Sequence, residues 1–247
     1  MQAREKKNKW GFGKKFYRKI AKPEELISFS VQLKQTDLWI SARKDLKREA
    51  EFLVLSARNQ VESYIEKYPE FLNALFPWSE DLIAPPVVKD MIRAGRNAGI
   101  GPMSAVAGAI ADYVGKGLLR FSDEVIVENG GDVFLSLKRT VTVGVFFGRE
   151  CQIGVRIKKD IMPVGVCSSS AKIGHSLSFG RADLVTVFSH SASIADSAAT
   201  AIANKIRSVG DVEELSRWGS QIKGIFGIVA IIKGNISFWG DLEICVL

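Results

Sequence analysis

The chain has 247 residues, 47% of them apolar and 25% charged, a composition typical of a folded globular protein with a substantial core. Its longest apolar run, residues 224–232, is too short to span a bilayer and indicates a buried strand. Two histidines and three widely spaced cysteines exclude chemistry that needs several imidazoles, a disulfide framework or a zinc-finger pattern. Because no apolar signal-peptide core follows the start, we expect a cytoplasmic protein.

The net charge of +7 is concentrated in a basic N-terminal arm. Residues 1–22 hold nine of the 34 Lys/Arg and one of the 27 Asp/Glu, which leaves 25 basic and 26 acidic side chains in the rest of the chain. The arm interleaves aromatic residues with lysines, a pattern suited to nucleic acid or an anionic membrane. The alternative, which we favour, is a solvated tail that leads into an edge strand near residues 16–18.

The first predicted elements are two strands and a long helix. Residues 27–34 and 38–41 alternate as strands joined by a turn at 35–37, and a helical period runs from Lys44 to Tyr68. Its candidate core positions are Leu46, Phe52, Leu53, Leu55, Val61 and Ile65. Pro69 ends this helix, and Pro86 lies in the first turn of another that reaches about Asn97.

A glycine-proline break at residues 98–104 precedes a helix of small residues that continues through Leu119. Strands are then predicted at 124–128, 132–137, 141–147, 151–157, 164–167 and 184–188, with two or three more after a second small-residue helix near 194–204. The strand connections are too short for βαβ crossovers. The sequence therefore predicts an α+β fold with antiparallel sheets, and residues 23–247 are taken as a single domain.

The two small-residue helices resemble each other. Residues 107–112 (AGAIAD) are similar to residues 199–204 (ATAIAN), which favours an internal duplication. Ser104, Gly108, Ala111 and Gly115 form one slim face suited to close packing. If the chain is duplicated, the two helices lie side by side and bring Asp196 close to residues 101–108.

Asp196 and Thr200 are the most informative pair in the chain. They lie four residues apart on the second small-residue helix and therefore on one face of it. A carboxylate and a hydroxyl in this arrangement suit Mg²⁺, which prefers oxygen ligands and keeps positions open for water and phosphate. The alternative is that Asp196 only interacts with the dipole at the start of its own helix.

Three glycine- or serine-rich segments are candidates to complete a site. Gly130, Gly131 and Asp132 form either a tight hairpin or a place where the backbone approaches a bound ring or phosphate, with Asp132 as a polar anchor. The loop at residues 165–176 offers hydroxyls and amides for phosphate oxygens, from Ser168, Ser169 and Ser170, and His175 as an acid–base candidate. Gly99-Ile-Gly101 before a helix is a third, weaker candidate for anion binding.

Taken in order, four segments resemble the ApbE-like superfamily, and more closely an uncharacterised family of ApbE-related proteins. They are residues 101–112, 128–132, 167–170 and 195–201. ApbE enzymes are FAD:protein FMN transferases that use Mg²⁺ to cleave FAD and attach FMN to a threonine or serine of an acceptor protein. The resemblance implies the ApbE-like member of the T-fold group, with Asp196 and Thr200 as metal ligands. It also implies that Gly130, Gly131, Asp132 and Ser168–Ser170 hold the flavin nucleotide.

The chain also departs from the ApbE pattern. ApbE enzymes have Ala-Lys-Gly where this chain has Val106-Ala107-Gly108, so a lysine is missing, and the stretch from His175 to Gly180 lacks the Asp-Pro of their His-x-x-Asp-Pro motif. These losses leave two hypotheses open. The first is a Mg²⁺-dependent enzyme acting on FAD or another nucleotide diphosphate, and the second is a module that binds a flavin, a nucleotide or a protein without catalysis.

The expected partners follow from these hypotheses. They are a small-molecule nucleotide or flavin and, by resemblance, an acceptor protein. A membrane is not expected and nucleic acid is disfavoured, while self-association into a homo-oligomer is left open.

Overall fold

The structure, a computed structural model, describes residues 25–147, 151–170 and 180–247. The basic arm, its predicted edge strand and His175 lie outside these residues. The strands are β1 (Ile27–Leu33), β2 (Thr36–Ala42), β3 (Val125–Asn129), β4 (Asp132–Ser136), β5 (Val141–Phe147), β6 (Cys151–Ile157), β7 (Val164–Ser169), β8 (Leu184–Ser189), β9 (Ile225–Ile232), β10 (Asn235–Gly240) and β11 (Glu243–Val246). The helices are α1 (Lys47–Lys67), α2 (Pro86–Ala98), α3 (Val106–Leu118), α4 (Ala192–Lys205) and α5 (Leu215–Gln221).

An eight-stranded antiparallel sheet carries the fold. Its strand order is β1-β2-β3-β4-β7-β8-β9-β10, so four strands from the first half of the chain meet four from the second half at the β4–β7 pair. In each half, helices are inserted between the second and third strands: α1 to α3 between β2 and β3, and α4 and α5 between β8 and β9. The predicted α+β class with antiparallel sheets is confirmed. This arrangement supports an internal duplication, which stays a prediction.

The molecule is built in three layers because alternate residues of the large sheet face opposite sides. On one side, Leu38, Val127 and Phe134 pack against the helices. On the other side, Val166 and Phe188 pack against a three-stranded sheet of order β11-β6-β5. The large sheet is therefore covered by helices on one face and, over its central strands, by a second sheet on the other.

Small residues let α3 and α4 pack at backbone distance. A Cβ added to Gly108 would lie only 2.3 Å from the carbonyl oxygen of Ala192, and the hydroxyls of Ser104 and Ser197 are 2.9 Å apart. Gly115 instead makes room for the ring of Phe134 on β4. The expectation that the two small-residue helices lie side by side is confirmed. Of the predicted slim face, Gly108 contacts α4, whereas Gly115 contacts the large sheet.

The predicted core face of α1 is wrong at two positions. Phe52 and Leu55 are 71% and 48% exposed, whereas Ala50, Val54 and Ala57 are fully buried. The other four predicted positions are buried or pack against the core. The apolar pattern therefore indicated the core face of α1 correctly except at Phe52 and Leu55.

The glycines at 99 and 101 end and connect helices and do not form an anion site. Gly99 has φ of +74° and ends α2 by donating its N–H to the carbonyl of Gly95. Gly101 donates its N–H to the carbonyl of Leu75, and a Cβ there would lie 1.7 Å from the carbonyl oxygen of Ala74. The amides predicted to face an anion are thus directed at the protein backbone.

No helix in the described residues is long and apolar enough to cross a membrane.

Candidate functional site

Helix α4 presents Asp196 and Thr200 on a polar stripe. Most of the helix is buried, but Asp196, Thr200 and Asn204, each four residues from the next, are partly exposed. The two predicted ligands therefore reach solvent along one side of an otherwise buried helix.

The carboxylate of Asp196 interacts with the neighbouring helix and not with the start of its own. Its Oδ2 accepts a hydrogen bond of 2.9 Å from the backbone N–H of Gly108, in the first turn of α3. A carboxylate at this position satisfies an amide that has no partner within the helix and complements the helix dipole. The alternative in which Asp196 complements the dipole of α4 is wrong.

The start of α4 is held by another carboxylate, Asp112 of α3, which is 1% exposed. Its Oδ1 accepts from the N–H of Ala192 at 3.0 Å, and its Oδ2 accepts from the N–H of Ser193 at 3.2 Å and the hydroxyl of Ser191 at 2.7 Å. Asp112 lies at the end of residues 107–112, the segment that is similar to residues 199–204, and no role was predicted for it from the sequence. An acid on the small-residue face of a helix was the signal that could have found it.

The hairpin between β3 and β4 is tight, as one of its two interpretations predicted. Asn129 pairs with Asp132, which leaves Gly130 and Gly131 as a two-residue turn with φ of +69° and +112°. The carboxylate of Glu128 accepts the N–H of Gly131 at 2.7 Å. A Cβ at either glycine would meet nothing within 4 Å, so the turn conformation and not crowding explains both glycines. The approach of a ring or phosphate to them stays a prediction.

Three polar side chains form a row on the helix-facing side of the sheet. Asn129, Asp132 and Cys167 follow one another across β3, β4 and β7. The amide of Asn129 donates to the carbonyl oxygen of Ala107 at 3.0 Å. That carbonyl belongs to the same peptide group as the N–H of Gly108, so Asn129 and Asp196 hold the two sides of one peptide.

The Asp132 carboxylate lacks part of its expected hydrogen bonding. It is 9% exposed, and its buried Oδ1 has no hydrogen-bond partner among the described residues. Burial, together with the negative charge of Glu128, raises the pKa of Asp132 to about 7. Hydrogen bonds from the Cys167 thiol and the Ser168 backbone oppose this rise.

The pKa values of Asp196 and Cys167 are raised by burial and by nearby negative charge, as that of Asp132 is. Restricted hydration raises the pKa of Asp196 well above its ordinary value, and the charge of Asp132 raises it further. Burial also raises the pKa of the Cys167 thiol, assisted by the charges of Asp132 and Asp196. The negative charges of Asp132 and Asp196 destabilise each other, and a bound cation would stabilise both carboxylates in their ionised forms.

The serine run is divided between the two faces of the sheet. Ser168 lies on the side away from the helices, where its hydroxyl is 2.8 Å from that of Thr186. Ser169 follows the register of Cys167 and lies on the helix-facing side. The structure therefore brings the backbone of Ser168, and not its hydroxyl, to Asp132. The roles predicted for Ser168, Ser169 and Ser170 in nucleotide binding, and for His175 in acid–base chemistry, stay predictions.

The oxygen donors of this site suit a Mg²⁺ ion. In the described ranges, no three His, Cys, Asp or Glu side chains converge as a metal cluster. Mg²⁺ does not need such a cluster, because it is bound by one or two carboxylates and keeps several waters. Asp196, Thr200 and the unpaired oxygen of Asp132 are oxygen donors of the required kind, so the residues present fit Mg²⁺.

The fold is that of solved ApbE proteins. The chain is similar to the flavin transferase ApbE from Vibrio cholerae, with a TM-score of 0.60 and 13% identity over 89% of this chain and 98% of that one. It is also similar to the flavinyl transferase ApbE of Pseudomonas stutzeri, with a TM-score of 0.58 and 14% identity over 87% and 94% of the two chains. At these identities the likeness shows the fold and nothing further.

The family follows from the sequence comparisons. Residues 18–217 match the family model described as "AbpE bacteria". A UPF0280 protein of Methanocaldococcus jannaschii is 39% identical over 219 residues, which cover 85% of this chain and 89% of that protein. A UPF0280 protein of Methanopyrus kandleri is 42% identical over 72% of this chain and 74% of its own length. The chain belongs to the AbpE bacteria family, an ApbE-related family as the resemblance predicted.

Proposed function

We propose that this protein is a Mg²⁺-dependent enzyme that acts on FAD or another nucleotide diphosphate, by FMN transfer to an acceptor protein or by diphosphate hydrolysis. The single observation that carries the proposal is the buried, unpaired oxygen of Asp132, whose charge acts on the Asp196 carboxylate that binds the start of α3. A buried carboxylate oxygen without a donor is costly, and a cation with its waters would satisfy it. The ApbE fold of the chain supports the same class of reaction.

In this proposal the residues have distinct roles. Asp196 and Thr200 would hold Mg²⁺, which when bound polarises phosphoryl oxygens. Gly130, Gly131 and Asp132 would orient the nucleotide together with Ser168–Ser170, and the unpaired oxygen of Asp132 would accept a hydrogen bond from a water of the cation. His175 would move a proton at the leaving group or the attacking hydroxyl.

A direct assay tests the proposal. Purified protein is incubated with FAD and Mg²⁺, and the release of FMN or AMP is followed by chromatography. Thr200→Val keeps the shape of the side chain and removes the hydroxyl, so we expect it to lose most of the activity while its melting temperature stays within a few degrees of the wild type, roughly the effect of 1 kcal/mol. Turnover by the wild type that Thr200→Val leaves intact would contradict the metal role of Thr200.

A second candidate function is supported by Ala107. It occupies the position where ApbE enzymes carry a lysine, and its carbonyl is already engaged by Asn129. A binding module without catalysis would retain FAD affinity in calorimetry and show no turnover with FAD or other nucleotide diphosphates. Measurable hydrolysis or transfer would eliminate this alternative.

A further inference from the structure

Two hydrogen-bond contacts join α3 and α4 in a reciprocal way. On α3, Gly108 donates its N–H to Asp196, and one turn later Asp112 accepts the N–H of Ala192. On α4, Ala192 and Asp196 are likewise one turn apart. Each helix thus contributes one amide and one carboxylate, and the two helices run antiparallel through this contact.

The contact has little freedom to slide. A Cβ at Gly108 would be 2.3 Å from the carbonyl oxygen of Ala192 and 2.9 Å from the Cβ of Asp196, so the helices already touch through backbone atoms. A shift of α4 along α3 would break the hydrogen bonds at both ends together, because each helix is a rigid segment over a single turn.

From this geometry we propose that Asp112 is a positioning residue for the Asp196–Thr200 pair. Asp112 is buried, and its three hydrogen bonds all hold the turn at residues 191–193. That turn leads directly into Asp196, so fixing it fixes where the Asp196 carboxylate meets Gly108. The consequence for metal binding rests on the proposed function, whereas the coupling between the two contacts does not.

Amide hydrogen exchange tests the coupling without a ligand. Asp112→Asn retains the size of the side chain but replaces one accepting oxygen with a donor. Positioning predicts that exchange at the Gly108 amide becomes about tenfold faster, the loss expected for a hydrogen bond to a charged group. Faster exchange confined to Ala192 and Ser193 would mean that Asp112 only holds its own contact, and would overturn the proposal.

A matched control separates positioning from general destabilisation. Asp183 is also a buried carboxylate, and it accepts the backbone N–H of Lys233. It lies immediately before β8 and not on α3 or α4. Asp183→Asn should leave exchange at Gly108 within about twofold of the wild type. If Asp112→Asn fails to fold, Ser191→Ala can replace it, because it removes only one of the three hydrogen bonds to Asp112. It should give a smaller increase in the exchange rate at the Gly108 amide. No increase in that rate would overturn the proposal.

Mn²⁺ titration, used as a probe for Mg²⁺, gives the functional readout. We expect Asp112→Asn to weaken Mn²⁺ binding about tenfold and Asp183→Asn to leave it unchanged, as follows from the loss of one charge-assisted hydrogen bond. Equal Mn²⁺ affinity in Asp112→Asn and the wild type would overturn the positioning role. If the wild type binds no Mn²⁺, the proposed function fails, and the exchange rate at Gly108 alone decides the coupling.

Discussion

We expect Asp132→Asn to change how the stability of the folded protein depends on pH. The folded protein raises the pKa of Asp132 from 3.8 to about 7, so the folded state binds this proton more tightly than the unfolded state. The contribution of Asp132 to stability is therefore greatest at low pH and is lost as the pH rises from about 4 to about 7. Between pH 5 and pH 8 the two pKa values give a loss of roughly 2–3 kcal/mol from this single group.

The assay is thermal unfolding of the metal-free protein at several pH values. For a chain of this size, the loss lowers the wild-type melting temperature by roughly 5–10 °C between pH 5 and pH 8. Asp132→Asn cannot ionise, so most of this contribution should disappear and the variant should be the more stable protein at pH 8. Asp241→Asn, which changes an exposed carboxylate, serves as the matched control. An unchanged pH dependence in Asp132→Asn would refute the reasoning.

Two further predictions test the packing of the helices. In denaturant unfolding, Gly108→Ala should lower the free energy of unfolding by about 1–3 kcal/mol or more, because its Cβ would meet the backbone of α4. Gly210→Ala is the control. Its Cβ would have only a hydroxyl oxygen within 4 Å, at 3.9 Å, so the free energy of unfolding should change by less than about 0.5 kcal/mol. Val54→Ala should cost about 2 kcal/mol and Phe52→Ala almost nothing, since Val54 is fully buried and Phe52 is 71% exposed. The reverse order in chemical denaturation would contradict the orientation of α1.

The sequence alone determined the fold class and most of the secondary structure, although helix α5 was not predicted. Period-two and period-3.6 patterns, with proline and glycine at the ends of segments, set the elements to within a few residues, because these signals are local. The same local logic placed Asp196 and Thr200 on one helix face and Gly130-Gly131 in a tight turn. The resemblance carried by four short segments then indicated the ApbE fold, which the comparisons confirm.

Only the tertiary structure decided which groups meet. On α1, Phe52 and Leu55 were predicted to lie in the core but are exposed, because the orientation of a helix depends on what packs against it. Asp196 accepts an N–H from the first turn of α3 and Asp112 accepts one from the start of α4. This reciprocal contact joins residues 80 and 88 positions apart in the chain. The burial that raises the pKa of Asp132 likewise depends on neighbours from other strands and helices. Such contacts are non-local, and no spacing within one segment of sequence encodes them.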